Sequence, residues 1–579
     1  MIVKENMNLT QIPNYHKRSF VPDGVNLTDE STVKNLYQQL LNRTIESSQQ
    51  LDKWLLDRSE LDAALSQAGS ILYIHMTCQT DDLEIAKAYT QFIQTIPPAV
   101  KPIHDELNQK YLKLLEVFPL DAKRYEVYTR ATATDVELFV GANVPLQTKV
   151  ELLSQEYQTV CGAMTVQFKG KEQTLPQMGK YLLEPDRSIR QEAWEAVAKR
   201  RLRDKEKLEN LFDEMFRLRC QIASNANFGS FIDYQFRAYH RFDYTPFHCK
   251  EYHETIRKLV VPLYKEILIK RKEEMSLESL RPWDIAVDSK GREALKPFDK
   301  VGDLVAKSQK IFNKLDNQLG QQFKEMNDLG LLNLESRKGK APGGYQNTLN
   351  EARKPFIFMN AVGVDDDVRT LLHESGHAFH ALACADDPLV DYRHAPMEFC
   401  EVASMAMELL GGQHLGEFYN IEDTKRSNRE HLEGIVHVLA WVANIDAFQH
   451  WLYENPNHTQ EQRRQAWSDF YQQFGGQFLD WQGLQEVRSY LWHRQLHIFE
   501  VPFYYIEYGI AQLGALQLWL KAMNDPQKAL VDYRHGLSLG GSRPLPELYQ
   551  AAGIKFDFSL EIIKPLVEEV YKQWKKLVD

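Results

Sequence analysis

The chain has 579 residues, 43% hydrophobic and 26% charged, with a formal net charge of −11. That length exceeds what one hydrophobic core usually spans, so at least two lobes are expected. Net acidity without a Lys/Arg run argues against nucleic acid as a partner, and six scattered cysteines without a C-x-x-C pair argue against a disulfide framework or a four-cysteine zinc knot.

Along the chain, helical periodicity dominates from 30 to 120, as in TVKNLYQQLLNRTI and LNQKYLKLLEVF. Around 124–144 the texture changes to YEVYTRATATDVELFVGANV, whose β-branched and aromatic residues suggest a short strand or an irregular piece. GAMTVQFKGKEQTL (162–175) reads as a β-hairpin turning at Gly170. From Asp186 to about Asn225 one or two long helices are expected, with Ser188 and Gln191 offering a capping box. Pro and Gly mark loops near 279–300 and at 337–349. KPFIFMNAV (354–362) is a compact β-type run, and 398–579 is almost wholly helical. No stretch approaches the ~18 apolar residues of a membrane span, and the N-terminal MIVKENMNLTQIPNYHKRSF lacks the apolar core of a signal peptide. A cytoplasmic protein that does not engage the membrane is expected. The fold class is mainly α, with a small β-sheet beside the motif described next.

DDVRTLLHESGHAFHALAC (366–384) holds an H-E-x-x-H pattern. On a helix, residues four apart share a face, so His373 and His377 can aim ring nitrogens at one metal ion. Glu374 is rotated about 100° from His373 and can reach a water rather than the metal. Asp366 or Asp367 is available as N-cap. A catalytic zinc needs three protein ligands and an open fourth position. A metzincin would place Gly at 380 and His at 383, but His380 and Ala383 stand there. The next helix, PMEFCEVASMAMELLGG, offers Glu398, Glu401 and Glu408, and spacing alone does not choose among them. A thermolysin-like ligand would be followed four residues on by Asp; positions 402, 405 and 412 hold Val, Met and Gly.

HESGHAFH, followed 28 residues after its first His by EVAS, resembles the M3 (thimet oligopeptidase) family of zinc peptidases, and within it the oligoendopeptidase F branch. Four further segments carry the likeness: YQTVCGAMTVQFKGKEQTLPQ (157–177), FRLRCQIASNANFGSFIDY (216–234), GLLNLESRKGKAPGGYQ (330–346) and HIFEVPFYYIEYG (497–509). The resemblance implies a gluzincin-type fold of two helical lobes enclosing a deep substrate channel. It implies an N-terminal helical lobe with a short hairpin over 1–195 and a catalytic domain over 196–579. It places one Zn2+ per chain on His373, His377 and Glu401, the general base on Glu374, and supporting carboxylates on Glu408 and Asp367.

The same resemblance puts His497 and Tyr508 against the substrate carbonyl, with Tyr504 and Tyr505 beside them. Many relatives carry P-F-Y-x-Y-x-Y, and Ile506 stands here at the middle tyrosine. Gly343, Gly344 and Tyr345 are expected at the substrate, with the peptide lying as an added strand along 356–362. His380 is expected to line the pocket, and His493 with His497 to form a site wall. The implied activity is hydrolysis of internal bonds in short peptides by a monomer or weak homo-oligomer. Two other readings stay open: an exo-acting peptidase of related fold, such as a dipeptidyl carboxypeptidase, and a non-catalytic peptide-binding protein with structural zinc.

Overall fold

A computed structural model describes residues 9–578. The chain forms two compact units, each discontinuous in sequence. The first comprises Met1–Glu137, Leu295–Asn428 and Ala511–Phe556; the second comprises Leu138–Ala294, Arg429–Ile510 and Asp557–Asp579. None of the five boundaries between them falls at 195/196.

The first unit begins with helices Glu30–Asn42, Ser48–Cys78 and Leu83–Val117. Their shared core includes Tyr37, Leu40, Trp54, Leu61 and Tyr111, and the 389–392 segment closes it with Leu389 and Tyr392. The stretch expected to be strand or irregular is instead a helix, Ala122–Leu138. Tyr125, Tyr128, Thr132 and Thr134 are its buried residues, and Tyr128 packs edge-on against Tyr111 with ring centroids 5.3 Å apart. Burying those side chains outweighs the weak local preference of β-branched residues for strand.

The HESGH region of this unit rests on a three-stranded sheet. Its strands are β3 (Leu332–Glu335), β4 (Tyr345–Leu349) and β5 (Lys354–Ala361), numbered after the hairpin strands β1 (Thr165–Phe168) and β2 (Lys171–Thr174) of the second unit. The order is β3-β5-β4, with β5 parallel to β3 and antiparallel to β4. The strand KPFIFMNA is therefore central and nearly all buried, as an apolar run paired on both sides should be. This narrows the expectation that a substrate could pair along 356–362, because β4 already pairs with 354–358 and β3 with 357–361. From β5 the chain turns directly into the motif helix, Asp365–Ala383, which packs on the ligand helix, Met397–Gly412.

In the second unit the hairpin forms as expected, in register from Thr165↔Thr174 to Phe168↔Lys171. Its two-residue turn puts Lys169 (φ 49°) and Gly170 (φ 75°) in the left-handed region, the geometry that matches strand twist. The expected long helices are Arg187–Leu202 and Lys205–Asn225. The cap of the first is Asp186, whose carboxylate accepts from the Ser188 N–H at 2.8 Å and the Ser188 hydroxyl at 2.7 Å. Ser188 is thus inside the helix rather than capping it.

Candidate active site

The motif helix starts with three acids, Asp365, Asp366 and Asp367, where the helix dipole favours negative charge. Asp367 is the cap. Its Oδ2 accepts from the backbone N–H groups of Val362, Gly363 and Val364 at 2.8, 2.8 and 2.9 Å. These bonds fix the turn between β5 and the helix, and so the phase at which the helix presents its histidines. Asp365 accepts hydroxyl donors from Tyr419 and Ser427.

One turn further on, His373 and His377 project together, with ring centroids 4.9 Å apart. His373 Nδ1 lies 2.6 Å from Glu408 Oε1, which accepts the ring proton and leaves Nε2 facing Glu401 Oε2 at 3.4 Å. His377 Nε2 lies 3.7 Å from that same oxygen. Glu401 is buried and takes one hydrogen bond from the Ser404 hydroxyl, 3.0 Å away. One ligand atom from each of His373, His377 and Glu401 falls within 4.8 Å of the others. Two neutral-capable imidazoles and one carboxylate, converging on a shared point and backed by a carboxylate on the outer nitrogen, suit zinc. Of the three glutamates left open by spacing, Glu401 faces the histidines and Glu408 holds His373 from behind.

The two helices come this close because residue 376 has no side chain. A Cβ there would stand 2.5 Å from the Ala403 carbonyl oxygen and 2.6 Å from the Ser404 Cα. The glycine inside HESGH is needed for the space it leaves rather than for its backbone angles.

Glu374 is buried, and burial pushes its carboxyl up to about 7, against the pull of His373; a backbone N–H of Gln346 also donates to it. That amide belongs to β4, the edge strand beside the motif helix. Gly344 stands two residues before it: a Cβ there would lie 3.3 Å from Thr370 Cγ2 and at an ordinary contact distance, 3.8 Å, from Glu374 Oε1. Gly343 adopts φ 96°, which only glycine takes readily. Tyr345 turns its side chain away, stacking on Phe358 and bonding through its hydroxyl to Thr77 Oγ1 at 2.6 Å. Burial lowers His373, but the hydrogen bond and charge of Glu408, with Glu401 and Glu374, outweigh it and lift the imidazole to about 9. Burial, His373 and His380 hold His377 well below its usual value. His380 is buried edge-on to Phe399, and burial lowers it to about 3.

The second unit holds a separate ring cluster. His497 sits 4.6 Å from Tyr505, 6.1 Å from Tyr504 and 6.0 Å from Tyr508, centroid to centroid. Gln495 Nε2 donates to His497 Nδ1 at 2.7 Å, which leaves the ring proton on Nε2 as a donor. Burial pulls this imidazole down to about 4, so it is neutral at pH 7. The bend feeding Tyr504 is held at Phe503 (φ 66°) by two residues the sequence reading missed. Gln449 Oε1 accepts from the Phe503 N–H at 2.9 Å, and Arg241 donates to the Phe503 carbonyl at 2.6 Å while pairing with Glu507. Neither belongs to a recognisable motif. His493 does not stand beside His497. A break at Gln495 separates their two short helices, and His493 is buried 3.7 Å from Glu209.

Two histidines and a glutamate on paired helices beside a small sheet form a cluster whose donors could hold a metal ion. Comparison with known proteins gives the family. The model of peptidase family M3 matches residues 181–567 and that of the M3 N-terminal domain matches 25–139, so the chain belongs to peptidase family M3. It is 29% identical over 104 residues to oligoendopeptidase F of Lactococcus lactis subsp. cremoris, covering 18% of this chain and 17% of that protein. It is 22% identical over 306 residues to oligopeptidase PepF of Bacillus subtilis, covering 52% and 44%. The chain thus matches under half the length of each of these relatives. Pz peptidase A, solved with an inhibitor, superposes with a TM-score of 0.86 at 26% identity, covering 95% of this chain and 97% of that one. The fold is mainly α, and among the described residues no helix is long and apolar enough to cross a membrane.

Proposed function

We propose that the protein is a zinc-dependent oligoendopeptidase that hydrolyses internal bonds of short peptides. The observation that carries this reading is the placement of Glu374. It shares a helix turn with two converging histidines and lies beside Gly344, just ahead of the edge strand. His373, His377 and Glu401 would hold the ion, and Glu408 would keep His373 in the tautomer that binds through Nε2. The chemistry zinc supplies when bound is Lewis-acid polarisation of the peptide carbonyl and acidification of water.

Glu374 takes a proton from the attacking water and delivers it to the leaving amine. His497, carrying its proton on Nε2, and Tyr508 donate to the oxyanion that forms at the carbonyl. The substrate backbone extends along β4, whose outward Gln346 amide lies next to Glu374. Short peptides are cleaved and folded proteins are not. A cytoplasmic monomer or weak homo-oligomer fits this role, with no nucleic acid and no membrane as partner.

The test is cleavage of an internally quenched peptide of ten residues by three samples: the purified protein, the same protein stripped by a chelator and refilled with zinc, and Glu374→Gln. Activity should vanish on stripping, return with zinc and be nearly absent in the variant. Product masses should show internal cuts; release of only terminal dipeptides or single residues would assign an exopeptidase instead. Full activity in Glu374→Gln would remove HESGH from the chemistry.

A further inference from the structure

A second cluster of metal-binding side chains lies in the second unit, apart from HESGH in sequence and made of different donors. Helix Pro246–Glu274 carries Cys249 and His253, and helix Ile421–Glu454 carries Asp446 and His450. Each pair is four residues apart, so each presents two donors on one helical face. The sulfur of Cys249, a carboxylate oxygen of Asp446 and a ring nitrogen of His450 lie within 4.8 Å of one another, and all three residues are buried. His253 Nε2 lies 2.8 Å from Asp446 Oδ2, and His450 Nε2 lies 3.4 Å from it. Cys249 is in no disulfide.

Two observations point to an ion rather than to a closed polar network. Both ring nitrogens of His450 and the second oxygen of Asp446 are buried without a hydrogen bond of good geometry. Asp446 has no exposed surface. A buried carboxylate with one oxygen unsatisfied is costly unless a cation meets it. The neighbouring cation on this helix, Lys250, is spent on Glu454.

We propose that Cys249, Asp446 and His450 bind a second transition-metal ion, zinc by the chemistry of a thiolate, a carboxylate and an imidazole, with His253 holding the carboxylate in place. On binding, the Cys249 thiol gives up its proton to solvent and the thiolate bonds to the ion. The role is structural, because every donor is buried. The ion ties the two helices together directly behind the tyrosine-bearing bend. The ring of His450 packs 5.1 Å from Phe503, and the adjacent Gln449 holds the Phe503 amide.

The catalytic donors include no sulfur, so cobalt separates the two sites. Metal-free full-length protein and its His377→Ala variant are titrated with Co2+, following the near-ultraviolet thiolate-to-cobalt charge-transfer band and the bound equivalents. The wild type should take two equivalents and His377→Ala one, both with the band. Cys249→Ser should lose the band and one equivalent. X-ray absorption on cobalt-loaded His377→Ala should show one sulfur neighbour, a readout that holds even if Cys249→Ser fails to fold. One equivalent in the wild type, none in His377→Ala and no thiolate band would overturn the proposal and leave the cluster a hydrogen-bonded polar network only. Neither outcome depends on peptide cleavage, so failure of the catalytic reading would be seen separately.

Discussion

Replacing Gly376 by Ala should uncouple metal binding from stability. The new Cβ would stand 2.5 Å from the Ala403 carbonyl oxygen, where an ordinary contact begins at 3.4 Å, so the motif and ligand helices must part by roughly 0.9 Å. The obstacle is backbone and cannot rotate aside. Overpacking of this kind costs about 1–3 kcal/mol, and alanine's better helix propensity returns about 1 kcal/mol. The net loss is thus about 0–2 kcal/mol, which a folded domain of ordinary stability survives. The site is less forgiving. His373 and His377 lie only 3.4 and 3.7 Å from Glu401, which rides on the helix that is displaced. A misplacement near 1 Å costs on the order of 10²-fold in activity.

The assay compares zinc affinity by chelator competition, kcat on the quenched peptide and Tm, for Gly376→Ala and for Gly411→Ala. Gly411 also lies on the ligand helix facing the motif helix, but its Cβ would meet the Leu372 side-chain methyls at 2.8 and 3.0 Å, which can shift. The expected pattern is a large loss of zinc affinity and kcat in Gly376→Ala with a modest Tm change, and a smaller functional loss in Gly411→Ala. Wild-type zinc affinity and kcat in Gly376→Ala would refute the claim that close helix approach builds the site.

Glu408→Ala should weaken zinc binding about 10–100-fold, since His373 loses the acceptor that fixes its tautomer; chelator competition giving wild-type affinity would exclude that role. Tyr508→Phe should lower kcat on the order of 10²-fold with KM little changed, and an unaltered kcat would take Tyr508 out of the reaction. Asp284 is buried between Arg187 and Arg190, accepting from them at 2.7–3.1 Å, so Asp284→Asn should cost about 3 kcal/mol by leaving Arg190 buried without its anion. Although burial pushes its carboxyl up, the arginine hydrogen bonds and the Arg281 N–H hold it below its ordinary value. The stability it gives is therefore present above the unfolded carboxyl pKa of about 3.9 and is lost as pH falls through the lower folded value. The variant's Tm should fall less steeply on acidification than the wild type's, and parallel acid limbs would contradict this.

What the sequence revealed and what it withheld divide along a physical line. Features local to one stretch of chain were legible: the i, i+4 pairing of His373 and His377, with Glu374 between them, and the hairpin at Gly170. Features that depend on how two elements meet were not. Spacing left Glu398, Glu401 and Glu408 equivalent, because only the rotation of one helix against another decides which carboxylate faces the histidines. The run KPFIFMNAV looked like a strand, but nothing in its period could say that β3 and β4 would flank it on both sides. Tyr125, Tyr128, Thr132 and Thr134 looked like strand residues until a helix buried them. The same division explains why the second cluster escaped notice. C-x-x-x-H and D-x-x-x-H are unremarkable patterns, and 192 residues separate His253 from Asp446. Each pair becomes a candidate ligand set only when the fold brings the two helix faces together. HESGH announces itself because its two histidines and Glu374 share one helix. A site whose donors are split between two helices has no such local signature, and only the folded chain brings it into view.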